Sequence, residues 1–187
     1  EYSLTRFNQD IGNWNVKNVK NMRAMFANTN FDQDIGNWYV GNVKDMSYMF
    51  NGSNSFVYNY RVGSNIHLKW DVSNVEYMNH MFRWSGYNVN INGWDVSNVK
   101  NFRWMFMESP WNNGENVYST TLNHYKYKKR KIDANRPLLW DGKIKGDITG
   151  MFLGAHHLQN LANLDISQAI YKLDWDTRNC NMSNVDC

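Results

Sequence analysis

The sequence predicts an α/β fold: a leucine-rich-repeat-like right-handed solenoid with short parallel strands and short helices. Three observations predict it. A short motif recurs along the chain, and within each copy the apolar spacing changes from alternating to helical. The composition, with 42% hydrophobic and 16% aromatic residues among 187, also provides enough apolar surface for a core and argues against the disordered class.

Each copy of the motif is a Trp-x-Val-x-Asn-Val segment followed by Met-x-x-Met-Phe, with Phe for the first Met in the fourth copy. The four regular copies begin 24, 32 and 24 residues apart, at Trp14, Trp38, Trp70 and Trp94. The longer interval indicates an eight-residue insertion within 51–69. A weaker fifth copy begins at Trp140 and a partial sixth copy at Trp175. Because so short a unit cannot bury its own tryptophan, we expect the copies to stack.

The first part of each copy predicts a short strand. In the first copy Trp14, Val16 and Asn18 alternate, which places them on one face of an extended segment. Ile11 precedes the tryptophan by three residues and completes the L-x-x-L-x-L spacing of leucine-rich repeats. We expect equivalent strands to lie in parallel, about 4.8 Å apart, with their tryptophans in one buried column. The recurring asparagines would face inward and bond backbone groups; they are Asn18, Asn42, Asn74 and Asn98.

The second part of each copy predicts a short helix. Met22, Met25 and Phe26 fall at positions i, i+3 and i+4, the spacing of an apolar helical face. On this basis the chain divides into four regular repeats over 1–106, an excursion over 107–139 that fits no repeat, and degenerate repeats with a cap over 140–187.

One row of residues is expected to face outward from the strands and to vary between copies. A variable exposed row on a constant frame suits recognition of a partner, although the same positions can simply keep the surface soluble. The candidate partner-binding row comprises Asn15, Lys17, Tyr39, Asp71, Ser73, Asp95 and Ser97.

The excursion carries a second candidate, a basic patch interleaved with tyrosines. The patch comprises Lys126, Lys128, Lys129, Arg130 and Lys131. Such clusters can bind phosphates and stack on bases, but a solvated loop or an acidic protein neighbour explains one cluster equally well. Because the formal net charge is only +3, a nucleic-acid partner is not expected.

The repeat resembles the BspA-like surface repeat family, in particular the branch of mycoplasma surface lipoproteins and some large DNA viruses whose repeat is roughly 25 residues long. The resemblance covers 7–26, 31–50, 70–82 and 94–106, where the Trp, Val, Asn and Met-Phe positions recur. It implies a leucine-rich-repeat-like solenoid at a cell or particle surface, with adhesion or protein binding as its function. It brings no catalytic residues.

The residues themselves point away from catalysis. The sequence has no Gly-rich phosphate loop, G-x-S-x-G elbow or H-E-x-x-H motif, so we expect no enzyme activity, cofactor or metal site. No apolar run approaches the roughly 18 residues that span a bilayer. Cys180 and Cys187 fall at the valine and phenylalanine positions of the last copy, which would be close in space in a solenoid. They form either a disulfide or two free thiols.

We therefore expect a non-catalytic scaffold whose partner is a protein, either a host surface protein or the neighbouring subunits of an assembly. We expect it to be located at the cell surface or to be secreted. The alternative is a structural component of a large assembly such as a giant-virus virion, in a minor capsid or cement role.

Overall fold

The computed structural model describes residues 5–53, 68–87, 89–109, 138–140, 144–155 and 164–170. In these ranges the chain forms five successive rungs that lie side by side, and part of a sixth at 164–170. We number the rungs in chain order as 11–28, 35–52, 68–84, 91–108, and 138–140 with 144–154. The described ranges contain no α-helix and no strand longer than a single bridge.

One parallel bridge joins each rung to the next at the same place in the repeat. The residues of this row are Asn21, Asp45, Tyr77, Asn101, Asp147 and Ile170, and each is bridged to its neighbour in the row. A further parallel bridge joins Thr5 to Thr29. The copies therefore stay in register although the sequence interval between them varies. The right-handed winding and the leucine-rich-repeat-like class stay predictions.

The segment for which a short helix is predicted forms overlapping turns instead. In the first rung the N–H of Met25 donates to the carbonyl of Met22 at 3.2 Å, which closes a four-residue turn and not the larger ring of an α-helix. Every second backbone amide of this segment bonds the next rung. The N–H groups of Ala24 and Phe26 donate to carbonyl oxygens of the second rung at 3.0 and 2.9 Å. A helix cannot form here because these N–H groups bond the next copy and not the residue four positions back.

The core consists of stacked columns of equivalent side chains. The phenylalanine that ends each motif forms one column, in which neighbouring ring centroids lie 5.6–5.7 Å apart; its members are Phe26, Phe50, Phe82, Phe106 and Phe152. Both valines of the motif are buried from the second to the fourth rung, and so are the methionines. Burial of this apolar surface is the main term that stabilises the stack.

The tryptophans form a second column with its own hydrogen bonds. The Nε1 of each buried tryptophan donates to a carbonyl of the preceding rung: Trp38 to Ile11 at 3.1 Å, Trp70 to Ile35 at 3.0 Å, Trp94 to Leu68 at 2.9 Å and Trp140 to Ile91 at 3.2 Å. Trp14 is the exception. Its side chain is 55% exposed, and the prediction that it is buried is wrong because no described rung precedes it.

The asparagines of the motif lie outside the core, so the prediction that they face inward is wrong. The N–H of Val19 donates to the carbonyl of Val16 at 2.9 Å, and this tight turn interrupts the alternation on which the prediction rested. The second valine takes the inward place. The prediction that they bond backbone groups is confirmed, because their side-chain amides donate to carbonyl oxygens of the preceding rung: Asn42 to Lys17 at 2.9 Å, Asn74 to Gly41 at 2.8 Å and Asn98 to Ser73 at 2.7 Å.

Candidate functional site

The predicted partner-binding row lies at the outer edge of the rungs. Five members are exposed and Ser73 and Ser97 are half-buried; the exposed ones are Asn15, Lys17, Tyr39, Asp71 and Asp95. Tyr39 is the large aromatic member of the row, with 57% of its surface exposed.

The carboxylates and the amide of this row are engaged in their own turns. Asp71 Oδ1 accepts the backbone N–H of Ser73 at 3.1 Å and its hydroxyl at 2.6 Å, and these bonds lower the pKa of the Asp71 carboxyl. Asp95 Oδ1 accepts the N–H of Ser97 at 3.0 Å. In the first rung Asn15 Oδ1 accepts the N–H of Lys17 at 3.2 Å. These side chains have a turn-forming role that does not require a partner.

Two other candidates from the sequence cannot be placed. The basic patch of Lys126, Lys128, Lys129, Arg130 and Lys131 lies outside the described residues, as do Cys180 and Cys187.

A second surface, which we call the arginine–aromatic ladder, runs across the overlapping turns. Its members are Arg23, Tyr48, His80, Arg83, Trp84, Arg103 and Trp104. The rings of Tyr48 and His80 stack in parallel with centroids 4.2 Å apart. The His80 and Trp104 rings follow at 4.9 Å with a tilt of 59°. Tyr48, His80 and Trp104 come from three different rungs, so the stacking of the rungs assembles the surface.

Guanidinium groups cover the aromatic rings of this ladder. Arg23 Cζ lies 4.5 Å from the ring centroid of Tyr48, and Arg103 Cζ lies 4.6 Å from that of Trp104. Arg83 Cζ lies 3.9 Å from the ring centroid of Trp84. Cation–π contacts of this kind hold the guanidinium planes in fixed positions at the surface.

The backbone under the ladder is in the left-handed conformation. Tyr48, His80 and Trp104 have φ of 59°, 59° and 52°, and Trp84 has φ of 51°. These positions recur in every rung; glycine fills the first at Gly150 and the second at Gly52 and Gly154, while the remaining occupants are Ala24, Asn28 and Glu108.

Glycine adopts this conformation without strain, whereas a residue with a Cβ loses about 1–2 kcal/mol. The repeat therefore carries bulky aromatic residues at positions where glycine would be the least costly choice. Strained residues of this kind concentrate at functional sites. That pattern singles out the ladder as a candidate site.

The ladder carries its positive charge on arginine and not on histidine. Burial, and then the charges of Arg83, Arg103 and Arg23, lower the pKa of His80 to about 4. At neutral pH the imidazole is therefore uncharged, and Asn79 Nδ2 lies 3.4 Å from its Nδ1.

Sequence reasoning missed this surface. Tyr48, His80 and Trp104 occupy variable positions within Met-x-x-Met-Phe, which a helix would simply expose to solvent, and Trp84 lies two residues after the motif. The available signal was their composition: Arg-Ala, Ser-Tyr, Asn-His and Arg-Trp fill the two variable positions in successive copies.

Comparison with known proteins identifies a family and nothing closer. No curated protein and no solved structure matches the chain. In the described ranges no helix is long and apolar enough to cross a membrane. A family model described as "Mycoplasma protein of unknown function, DUF285" matches twice, over residues 2–64 and 64–126. The chain therefore belongs to the DUF285 family of repeat proteins, whose function is unknown.

Proposed function

We propose that the protein is a non-catalytic repeat scaffold that binds another protein at a cell surface and so acts in adhesion. The observation that carries the proposal is the presence of aromatic side chains at strained positions that glycine fills elsewhere in the same repeat. Such residues gain nothing from the backbone, so their value lies in the side chains that they display.

The composition of the ladder also supports a protein partner. Arg, Trp and Tyr are the residue types that contribute most to binding at protein interfaces. Trp84 is 42% exposed, which leaves apolar surface for a partner to cover. The core residues repeat from rung to rung while those of the ladder vary, as expected for a frame that displays a recognition surface.

The cell-surface location rests on the repeat pattern. The resemblance to BspA-like repeats, and membership of a family named for Mycoplasma, support that location as part of the proposal. The absence of a recognisable catalytic motif in the sequence is the reason for proposing binding and not turnover.

A bead-adhesion assay tests the proposal. Beads coated with the chain should adhere to monolayers of animal cells more than bare beads do, and protease treatment of the cells should remove that adhesion. Trp84→Gly should lower adhesion while the fold is kept, because glycine suits φ of 51°. Tyr39→Ala tests the predicted partner-binding row in parallel. Coated beads that adhere no better than bare beads would rule out the proposed function.

One observation favours a second candidate, a structural part of a large assembly. Three apolar side chains at the start of the described chain are exposed: Trp14 by 55%, Phe7 by 39% and Met25 by 38%. Exposed apolar surface of this kind suits contact with a neighbouring subunit. Copurification with a particle in a fixed ratio would favour this role over adhesion.

A further inference from the structure

We propose that the arginine–aromatic ladder binds carboxylate groups, and that the partner presents them on an acidic segment of its chain. This inference rests on the proposed function, because it assumes that the partner is a protein. It assigns the chemistry of the contact and the atoms that make it.

The first argument is the positive charge on the ladder. Arg103 Nη1 lies 3.6 Å from Asp147 Oδ2, an ion pair that joins the fourth and fifth rungs. Arg23 Nη1 donates to the uncharged hydroxyl of Ser47 at 2.6 Å. Within the described part of the chain, neither Arg23 nor Arg83 makes an ion pair. Two guanidinium groups at this surface therefore make no ion pair within the described residues, and the nearby carboxylate of Glu108 accepts the indole N–H of Trp84 at 2.9 Å.

The second argument is a pair of hydrogen-bond donors without acceptors. Among the described residues, Arg83 Nε and Trp104 Nε1 are buried and have no partner. Both groups can only donate, so only a group with acceptor atoms can satisfy them. A buried donor without a partner costs about 1–3 kcal/mol, and a ligand oxygen would recover that energy.

These donors lie around one residue, His80. Its ring is 4.9 Å from the Trp104 ring, and Arg83 exerts the largest electrostatic effect on its pKa. Every charged group that influences the imidazole is an arginine. An anion bound at this place would therefore relieve the repulsion among like charges.

The third argument concerns which anion fits. The rings of the ladder already contact guanidinium groups or each other, as Tyr48 does with Arg23 and His80. A ligand that binds by stacking, such as a nucleobase, therefore finds the Tyr48 ring already covered by Arg23 and His80. The guanidinium groups of Arg23 and Arg83, which make no ion pair within the described residues, present planar N–H forks that match the two oxygens of a carboxylate. The ladder crosses several rungs, so an extended acidic segment can lie along it.

Nuclear magnetic resonance titration of the full chain with a synthetic Glu-rich peptide tests the proposal. The indole N–H resonance of Trp104, assigned with Trp104→Phe, should shift as it gains an acceptor. The indoles of Trp38, Trp70, Trp94 and Trp140 already donate within the stack and serve as references that should not shift. The pKa of His80 should rise from about 4 by at least about one unit when the peptide is bound.

Two variants test whether the peptide binds at the arginine–aromatic ladder. Arg83→Gln should weaken peptide binding about tenfold or more, the usual effect of losing a charge-assisted hydrogen bond. Lys69→Gln removes one exposed positive charge from the same rung, outside both the ladder and the partner-binding row, and should leave binding unchanged. A peptide that binds without shifting the Trp104 resonance, or equally well to Arg83→Gln, would overturn the proposal. So would binding of heparin or single-stranded DNA without binding of the peptide.

The bead assay separates this inference from the proposed function. If Arg83→Gln beads adhere as well as unmodified beads, the carboxylate site is wrong while the adhesive scaffold stands. If no coated bead adheres, the proposed function is wrong, whatever the peptide does.

Discussion

At the scale of single residues, the left-handed positions show how the repeat divides its roles. Ala24 has φ of 54° and is exposed, whereas the equivalent Gly150 has φ of 60°. An alanine Cβ in this conformation meets the adjacent carbonyl oxygen and costs about 1–2 kcal/mol. Ala24 displays no aromatic side chain, so the backbone strain at this position does not serve the ladder.

Ala24→Gly should therefore stabilise the protein, by about 0.5–1 kcal/mol once the greater freedom of glycine in the unfolded chain is subtracted. Ala27 provides the matched control, because it lies in the same rung without a positive φ. Ala27→Gly should destabilise by about 0.5–1 kcal/mol. Urea unfolding of both variants measures the two effects. Equal destabilisation by both would show that the left-handed backbone at residue 24 carries no strain.

His80 predicts a specific dependence of stability on pH. Its folded pKa of about 4 lies below the ordinary value of 6.5, because burial and three arginines oppose its charge. Between these two values the unfolded chain binds a proton that the folded chain does not bind. The free energy of unfolding should thus fall by about 3 kcal/mol as the pH drops from 6.5 to 4, and this loss should then level off.

His80→Asn isolates the contribution, because asparagine tolerates the left-handed conformation and does not titrate in this range. Urea unfolding at several pH values between 7 and 4 should show a shallower loss of stability in the variant than in the unmodified chain. Parallel curves would contradict the assignment of the pH dependence to this imidazole.

At the scale of the rung, much of the core could be predicted from one copy of the motif. The repeated spacing of Trp38, Val40 and Phe50 correctly predicted which side chains are buried. A single copy of the motif could not show whether the Met-x-x-Met-Phe segment forms a helix. Apolar residues at i, i+3 and i+4 suit a helix, but they suit overlapping turns equally well. The choice depends on carbonyls of the next copy, such as that of Ser47, which accept the N–H groups that a helix would use internally.

The candidate site could likewise be predicted only where it depends on a single copy of the motif. The exposure of Tyr39 followed from simple alternation along the motif and is seen in the structure. The ladder did not follow, because Tyr48 and His80 are distant in sequence and become neighbours only through the register of the rungs. Register is a property of the stack and is not written in any single copy.

The tryptophan column allows a test of the rung itself. Trp94 is 2% exposed and its Nε1 donates to the carbonyl of Leu68 at 2.9 Å. Trp94→Phe should lower the free energy of unfolding by about 2 kcal/mol, since it removes buried apolar surface and leaves a carbonyl without its donor. Trp14→Phe is the control, because 55% of that side chain is exposed, and it should cost less than about 0.5 kcal/mol. Similar losses in the two variants would argue against the column.

At the scale of the whole molecule, the rungs form a one-dimensional array. The amide of His80 donates to Arg103 of the fourth rung, and the amide of Trp104 donates to Thr149 of the fifth. Within the described ranges, each backbone bond between rungs joins immediate neighbours. The stability of such an array is approximately a sum of rung terms and nearest-neighbour interface terms, so damage at one interface should stay local.

Gly146 offers a way to disturb one interface alone. A Cβ at this position would lie 2.6 Å from the carbonyl oxygen of Val99 and 2.7 Å from the carbonyl carbon of Lys100, both backbone atoms of the fourth rung. Gly146→Ala must therefore push the fourth and fifth rungs apart. Gly93→Ala is the matched control, because its Cβ would meet nothing within 4 Å.

Hydrogen exchange in Gly146→Ala should accelerate first at the amides that donate across the disturbed interface. Those amides belong to Phe102, Trp104 and Phe106. The amides of Met46, Tyr48 and Phe50, which join the second rung to the third, should keep their exchange rates. The reason is that they share no contact with the damaged interface and open in a separate unit. Uniform acceleration along the chain would instead mean that the rungs unfold as one cooperative block, and the nearest-neighbour description would fail.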